Sequence, residues 1–439
     1  MTRYRADVVL TADESFSTFS PGVVDVQDGR IAWVGPADAA PDGGGAQEHR
    51  LHGLLMPGLV NVHCHTPMTL FRGAGEDLPI QQWLEDVLWP REIRITADDT
   101  YWGMTLGAAE SLTRGVTTTC EMYWYEAATA EAARTAGLRC ILTPGLIAVP
   151  AWEEKVGTWE QRIEQILELR ASVSDDLIEV GFGPHAAYTL PPEALAGVGE
   201  AARRHGALVH VHVAESRSEV YGVEKQHGKS VPALMADVGL FGGRVLAAHS
   251  VWLSDDDLDI YRQYDVAVAH CPQSNAKLAS GIARLADMLA MDLRVGLGTD
   301  GPASNNDLDL WEEMRLAVML ARARSHDASL VPSRQAVELV TRRGAAALGR
   351  NDIGALEVGR WADMILLHTD DPTFVPLLDL DDVAPLLVWS VSSRLVTDVW
   401  VGGRHVVHES RCISVDEAQA RTEVQQRAQR LADEAAAGG

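Results

Sequence analysis

The hydrophobic pattern changes character twice along the chain. Near the N-terminus, short β-rich runs at 6–10, 22–27 and 30–35 are separated by polar residues, and Asp28-Gly29 reads as the tight turn of a hairpin. A glycine-rich loop follows at 43–45. The same texture returns late in the chain, with strands predicted at 362–367 and 395–401 and with Gly402-Gly403 turning the second of these into 405–408. Neither set holds enough apolar residues for a core of its own. The two ends are therefore expected to pair into one small β-sandwich domain.

Between them the rhythm is longer. Apolar runs at 58–63, 116–121, 138–143, 178–184, 208–213, 245–249, 266–270 and 295–299 alternate with helical patterns such as 98–114, 160–170, 192–205 and 309–324. Eight strand–helix alternations over about 240 residues predict an α/β fold built on a (β/α)8 TIM barrel, with chemistry at the C-terminal strand ends. The expected organisation is an N-terminal β-sandwich segment at 1–57, the barrel at 58–357, and a C-terminal β-sandwich segment with a terminal helix at 358–439. Ser414 and Glu417 have capping-box spacing ahead of the alanine-rich 418–437, which reads as a surface helix.

Composition narrows the function classes. The chain has 439 residues, 46% of them hydrophobic, and no apolar run of membrane-spanning length. Acids stand where a signal peptide needs an apolar stretch, so a cytoplasmic protein without a membrane partner is expected. With 37 basic and 62 acidic residues the formal charge is −25, which sets nucleic-acid polymers aside and leaves a small-molecule substrate. A homo-oligomer is compatible with this. The five cysteines, at 64, 120, 140, 271 and 412, are odd in number and widely spaced, as expected of reduced thiols.

The candidate chemistry lies at the predicted strand ends. The first closes as V-H63-C-H65, and alternation puts both imidazoles on one face. The fifth reads V-H210-V-H212-V-A-E215. His212, nearer the end, is the better ligand, while His210 lies a layer deeper, and Glu215 stands beside the pair as a proton carrier. The sixth ends at His249 and the eighth at Asp300, a carboxylate that needs a partner or a cation where it is. Imidazole and carboxylate donors from four strands converge on one rim and predict a divalent metal, Zn2+ first with Fe2+ as the alternative. The chain has only four lysines, at 155, 225, 229 and 277. None stands at the end of the fourth strand to bridge two ions as a carbamate, so one ion is expected.

These pieces together resemble the amidohydrolase superfamily: P57-G-L-V-N-V-H63-C-H65, H212-V-A-E215, A-H249-S, H270-C-P-Q-S-N275 and G298-T-D300-G. With W83-L, P90-R-E92 and G183-P-H185-A-A-Y-T189, the chain is similar to the deaminases of methylthioadenosine and S-adenosylhomocysteine, with triazine chlorohydrolases as near relatives. The resemblance covers nearly the whole chain. It implies metal ligation by His63, His65, His212 and Asp300, with His249 against the metal-bound water. It further implies that Glu92 holds the ribose hydroxyls and that His185 contacts the substrate near the sugar. The expected reaction is hydrolytic deamination at C6 of an adenine nucleoside. Glu215 would carry a proton from water to N1, and Asp300 would help the amine leave.

Trp83, Trp89 and Trp124 could form an aromatic wall over the purine, whereas Trp102 and Trp311 read as ordinary packing. The relatives that accept S-adenosylhomocysteine carry an arginine after the third strand. Here Pro144 takes its place, so adenosine, 5′-deoxyadenosine, methylthioadenosine or another modified adenosine such as aminofutalosine fits better. The alternative on the same barrel is a chlorohydrolase or deaminase of another heterocycle (a triazine, guanine or cytosine), which would have no use for Glu92 and His185. A barrel kept only for binding would have lost a ligand or the base, and all are present.

Overall fold

Eight parallel strand positions close into a ring, each where an apolar run predicted one. Leu59–Cys64 pairs with Val116–Glu121, which pairs with Arg139–Leu142, which pairs with Ile178–Val180. Leu208–Val213, Arg244–His249, Ala267–His270 and Val295–Leu297 form the other half, also parallel. Bridges between Phe182 and Val209 and between Cys64 and Asp300 join the halves. The computed structural model describes residues 1–43, 45–377 and 383–437, so position 44 of the predicted glycine loop lies outside the described residues.

Two strands differ from the expectation. The predicted run 178–184 is broken into Ile178–Val180 and Gly183–Pro184, and the third strand likewise continues as Gly145–Leu146 after Pro144. Pro144 has no N–H to offer the ladder. The two short continuations pair with each other so closely that a Cβ on Gly183 would lie 2.2 Å from the Thr143 carbonyl oxygen. Close approach also governs the eighth strand. A Cβ on Gly298 would lie 2.7 Å from the Cβ of His63, so only glycine lets these strands meet beneath the site.

Strands from both chain ends make one nine-stranded sheet. Its order is Arg411–Cys412, Arg404–His408, Val396–Val401, Met364–Leu367, Gln47–Pro57, Thr2–Leu10, Gly22–Gln27 and Arg30–Pro36, with Thr18–Phe19 beside Thr2–Leu10. The two ends meet where Gln47–Pro57 runs antiparallel to Met364–Leu367. Asp28 and Gly29 both have positive φ, +51° and +77°, as the predicted hairpin turn requires. A buried ion pair fastens this sheet to the barrel: Arg139 of the third strand meets Asp363 at 2.9 and 3.0 Å through two nitrogens.

The C-terminal helix, Glu417–Ala437, corrects two expectations. Asp416 caps it by accepting from the Gln419 amide, while Ser414 donates instead to the Ala136 carbonyl at 2.6 Å. The helix is also more than a surface feature. It buries Val424 and Leu431 in the cluster that contains Trp83, Trp124 and Trp152, and its Arg430 meets Asp99 at 2.6 Å. Asp99 belongs to the capping box of Ala97–Thr113. All five cysteines are buried and free. No helix among the described residues is long and apolar enough to cross a membrane.

Candidate active site

The strand that carries His63 and leads into His65 is buried throughout, and alternation aims both rings at the barrel axis. Four donor atoms meet there. Asp300 Oδ1 lies 3.3 Å from His63 Nε2 and 3.2 Å from His65 Nε2, and His65 Nε2 lies 3.4 Å from His212 Nε2. Donor atoms bound to one ion at about 2.0–2.1 Å stand ~3–3.4 Å apart, so these three contacts fit a shared cation. His63 Nε2 is buried and has no hydrogen-bond partner, an orphan that such an ion would satisfy.

The second nitrogen of each ring is held. His65 Nδ1 donates to the Met122 carbonyl and His212 Nδ1 to the His185 carbonyl at 2.9 Å, which leaves both Nε2 lone pairs facing the centre. His63 Nδ1 lies 2.6 Å from Nε2 of His210, the deeper histidine, whose own Nδ1 meets Thr143 at 2.9 Å. The far oxygen of Asp300 accepts from Ser274 at 2.6 Å and Ser304 at 2.8 Å, while Oδ1 accepts from the Gly301 amide at 2.8 Å and keeps one lone pair for the centre.

Strain accompanies this arrangement. Ala214, His249 and Asp300, at three strand ends on the rim, have φ of +50°, +66° and +60°. Non-glycine residues held there cost of order 1–3 kcal/mol each, and the surrounding contacts must hold them. At Ala214 the holder is Glu219. Its carboxylate accepts from the Ala214 amide at 3.2 Å and the Glu215 amide at 2.8 Å. Burial pushes the Glu219 carboxyl up to about 7, with its bond from the Glu215 amide pulling it down. The kink turns Glu215 into the cleft, where its Oε1 lies 3.9 Å from His249 Nε2. Burial pushes the Glu215 carboxyl above its ordinary value, against the pull of His249. His249 donates through Nδ1 to Asn275 Oδ1 at 2.9 Å, so Nε2 is the atom offered to the cleft.

Above this floor a cleft opens toward solvent. Glu92, His185 and Tyr188 supply further polar lining, and Trp83, Trp89, Trp124, Trp152 and Ile147 the apolar walls. Trp124 and Trp152 stack at 4.3 Å, and Trp83 is fixed by donating to the Ala74 carbonyl at 2.9 Å. Trp311 packs in the core as expected, and Trp102 lies partly buried beside the C-terminal helix. Glu92 is 5% exposed at the end of the short helix Trp89–Glu92. Burial lifts its carboxyl to about 7, against the Tyr123 hydroxyl and the charges of His65 and Lys155. His185 Nδ1 meets Thr189 at 3.0 Å, and burial holds its imidazole down at about 4, neutral at pH 7.

All eleven residues given a site role from the sequence gather here: ten line the cleft, and His63 lies just beneath it. Sequence reasoning missed Glu219, Ser304 and the hydrogen-bonding part of Asn275 and Ser274. Ser216 and Glu219 have capping-box spacing, and Ser216 does cap Arg217–His227. The glutamate, however, reaches past the cap to the two preceding amides. None of the four lysines lines the cleft. Lys155, the nearest in sequence, donates to the carbonyls of Ile93 and Ile95, the latter at 2.7 Å.

Known proteins share this architecture. Residues 54–406 match the model of the amidohydrolase family. A 5′-deoxyadenosine deaminase of Methanosarcina acetivorans is 39% identical over 429 residues, 96% of each chain. A 5-methylthioadenosine/S-adenosylhomocysteine deaminase of Desulforudis audaxviator is 40% identical over 429 residues, 97% of each chain. The structure of an adenosine deaminase from Xanthomonas campestris with bound zinc matches with a TM-score of 0.92 at 32% identity over 98% of each chain. A zinc-bearing atrazine chlorohydrolase from Arthrobacter aurescens shares the fold, with a TM-score of 0.89 at 22% identity, covering 98% of this chain and 100% of that one. With its barrel, its His/Asp donor set and a match over most of its length, the chain belongs to the amidohydrolase family.

Proposed function

We propose that this protein is a metal-dependent aminohydrolase that removes the C6 amino group of an adenine nucleoside, giving the inosine analogue and ammonia. The observation that carries the reading is the floor of the cleft. Donor atoms of His63, His65, His212 and Asp300 converge beside a partly buried glutamate and a histidine whose Nε2 is offered to the same cleft. His63, His65, His212 and Asp300 would hold the ion, with zinc the cation that the donor set favours. Once bound, it supplies Lewis acidity that lowers the pKa of water from about 15.7 toward 7.

The residues around it manage the protons. Glu215 takes one from the attacking water and delivers it to N1, which makes C6 electrophilic as the oxygen adds. His249, fixed by Asn275, accepts from that water through Nε2 and so orients its oxygen toward C6. Asp300 helps pass the second proton to the departing amine. Its Oδ2 lies 3.9 Å from His249 Nε2. The raised carboxyl of Glu215 suits a group that must both accept and return a proton.

The upper cleft supports a nucleoside rather than a bare base. Glu92 would accept hydrogen bonds from both ribose hydroxyls, His185 would contact the sugar, and Trp83 would cover the purine. Trp124, Ile147 and Trp152 would wall the region beyond the sugar, and no lysine or arginine is among the residues lining this cleft; Arg217 and Lys277 line the adjoining pocket on the other side of Trp83. Lys155 is spent on backbone carbonyls. A small neutral 5′ group therefore fits these walls, which offer a zwitterionic homocysteine tail no cation. Ammonia release from 5′-deoxyadenosine, methylthioadenosine, adenosine, S-adenosylhomocysteine and free adenine tests this reading. The first three are expected to turn over with far higher kcat/KM than the last two. Preference for adenine, or for a triazine, would overturn it.

A further inference from the structure

A second group of metal-type donors stands at the far edge of the nine-stranded sheet, and none of its members lines the cleft. Arg404–His408 runs antiparallel to Val396–Val401, but the register slips. Val399 faces Val407 while Trp400 faces His405, which leaves Val406 as an extra residue on its strand. In a regular strand, residues three apart point to opposite faces. The bulge absorbs one residue and brings His405 and His408 to the same side.

Asp398, from the neighbouring strand, meets both. Its Oδ1 accepts from His405 Nε2 at 3.0 Å and from His408 Nδ1 at 2.8 Å. The His405 ring lies flat on Trp400, with centroids 4.7 Å apart and planes 11° apart, and Tyr4 packs against the same tryptophan at 5.2 Å. One imidazole and the carboxylate are thus fixed from below. The other imidazole is 57% exposed and leaves the group open to solvent.

We propose that Asp398, His405 and His408 form a second metal site, distinct from the cleft, which takes one zinc-class divalent cation with water completing the shell. Two imidazoles and one carboxylate are the donors such ions favour, whereas magnesium and calcium seek oxygen alone. Ligand atoms around an ion bonded at about 2.0–2.1 Å stand ~3.4 Å apart. Each present contact therefore has to open by about half an ångström, and the exposed His408 ring has room to do so. The two ring protons that now point at Asp398 leave for the other ring nitrogen or for solvent. The ion would tie the two edge strands to each other, and binding to the folded state alone raises thermal stability.

The test is zinc bound per chain, measured by elemental analysis after equilibrium dialysis of the metal-loaded enzyme, with the thermal midpoint read in parallel. Wild type is expected to take two equivalents and to gain thermal stability with the second. His405→Ala/His408→Ala should stop at one and lose that gain, with turnover unchanged. His408→Gln alone, a substitution at an exposed ring, should weaken the second equivalent roughly tenfold or more, the loss that even an outer-sphere partner of a metal produces. A wild type that stops at one equivalent, or a double variant that still takes two, would overturn the proposal.

Discussion

Glu219→Ala would leave two buried amide donors, those of Ala214 and Glu215, without the acceptor that now meets them at 3.2 and 2.8 Å. A buried donor without a partner costs about 1–3 kcal/mol, so the variant faces roughly 2–6 kcal/mol in all. The backbone can escape part of this by releasing Ala214 from its φ of +50°, a conformation that costs a non-glycine residue about 1–3 kcal/mol. That relaxation swings Glu215 away from His249. Misplacement of a reacting group by about 1 Å costs on the order of 100-fold in rate. The expected outcome is a fall in kcat of about 100-fold, with denaturation shifted to lower denaturant and metal content unchanged, because His212 lies on the strand before the kink. Glu219→Gln keeps one acceptor oxygen and should lose about tenfold, equivalent to ~1.4 kcal/mol. Steady-state ammonia release, elemental analysis and urea unfolding read these quantities. An alanine variant with wild-type kcat and a wild-type unfolding midpoint would refute the positioning of Glu215 by this carboxylate.

Other predictions concern neighbouring contacts. Glu215→Gln should keep its metal and lose about 10²–10⁴ in kcat, the usual worth of a positioned proton carrier. Because Glu215 works as a base, activity is present above its pKa and lost as pH falls through it. Burial raises that pKa, so the acid limb of kcat/KM should lie above 4.5, and a limb at or below that value contradicts the assignment. Glu92→Gln should raise KM for nucleosides while leaving the poor rate on free adenine unchanged; an equal effect on both would remove its role at the ribose. Asp363→Ala strands the buried Arg139 guanidinium and should destabilise the fold by about 3–5 kcal/mol in urea unfolding, with KM of the remaining folded enzyme unaltered.

Local pattern carried most of the barrel. Val116–Glu121 and Leu208–Val213 lie where apolar runs predict them, because strands buried on both faces advertise themselves. Gln47–Pro57 escaped notice because its first half is polar and exposed, and the strand character of that half comes from parallel pairing with Thr2–Leu10, more than forty residues away in sequence. The cap of the last helix fell on Asp416 because Ser414 was drawn to the Ala136 carbonyl, a tertiary contact that no local spacing reveals. At the site, alternation was enough to put His63 beside His65. The direction of Glu219, Ser274 and Ser304 depends instead on which backbone amide or carboxylate oxygen the fold brings within reach, and their local sequence reads as ordinary caps and turns.

One cation, gathered by His63, His65, His212 and Asp300, is what would make this cleft a nucleoside deaminase. The most direct test is ammonia release from 5′-deoxyadenosine by protein stripped with a chelator and then titrated with zinc. Activity should vanish on stripping and return in full at one equivalent per chain, with Glu215→Gln about 10²–10⁴ slower at every zinc level. Turnover that survives in the stripped protein, or that needs two equivalents before it appears, would contradict a single-ion deaminase.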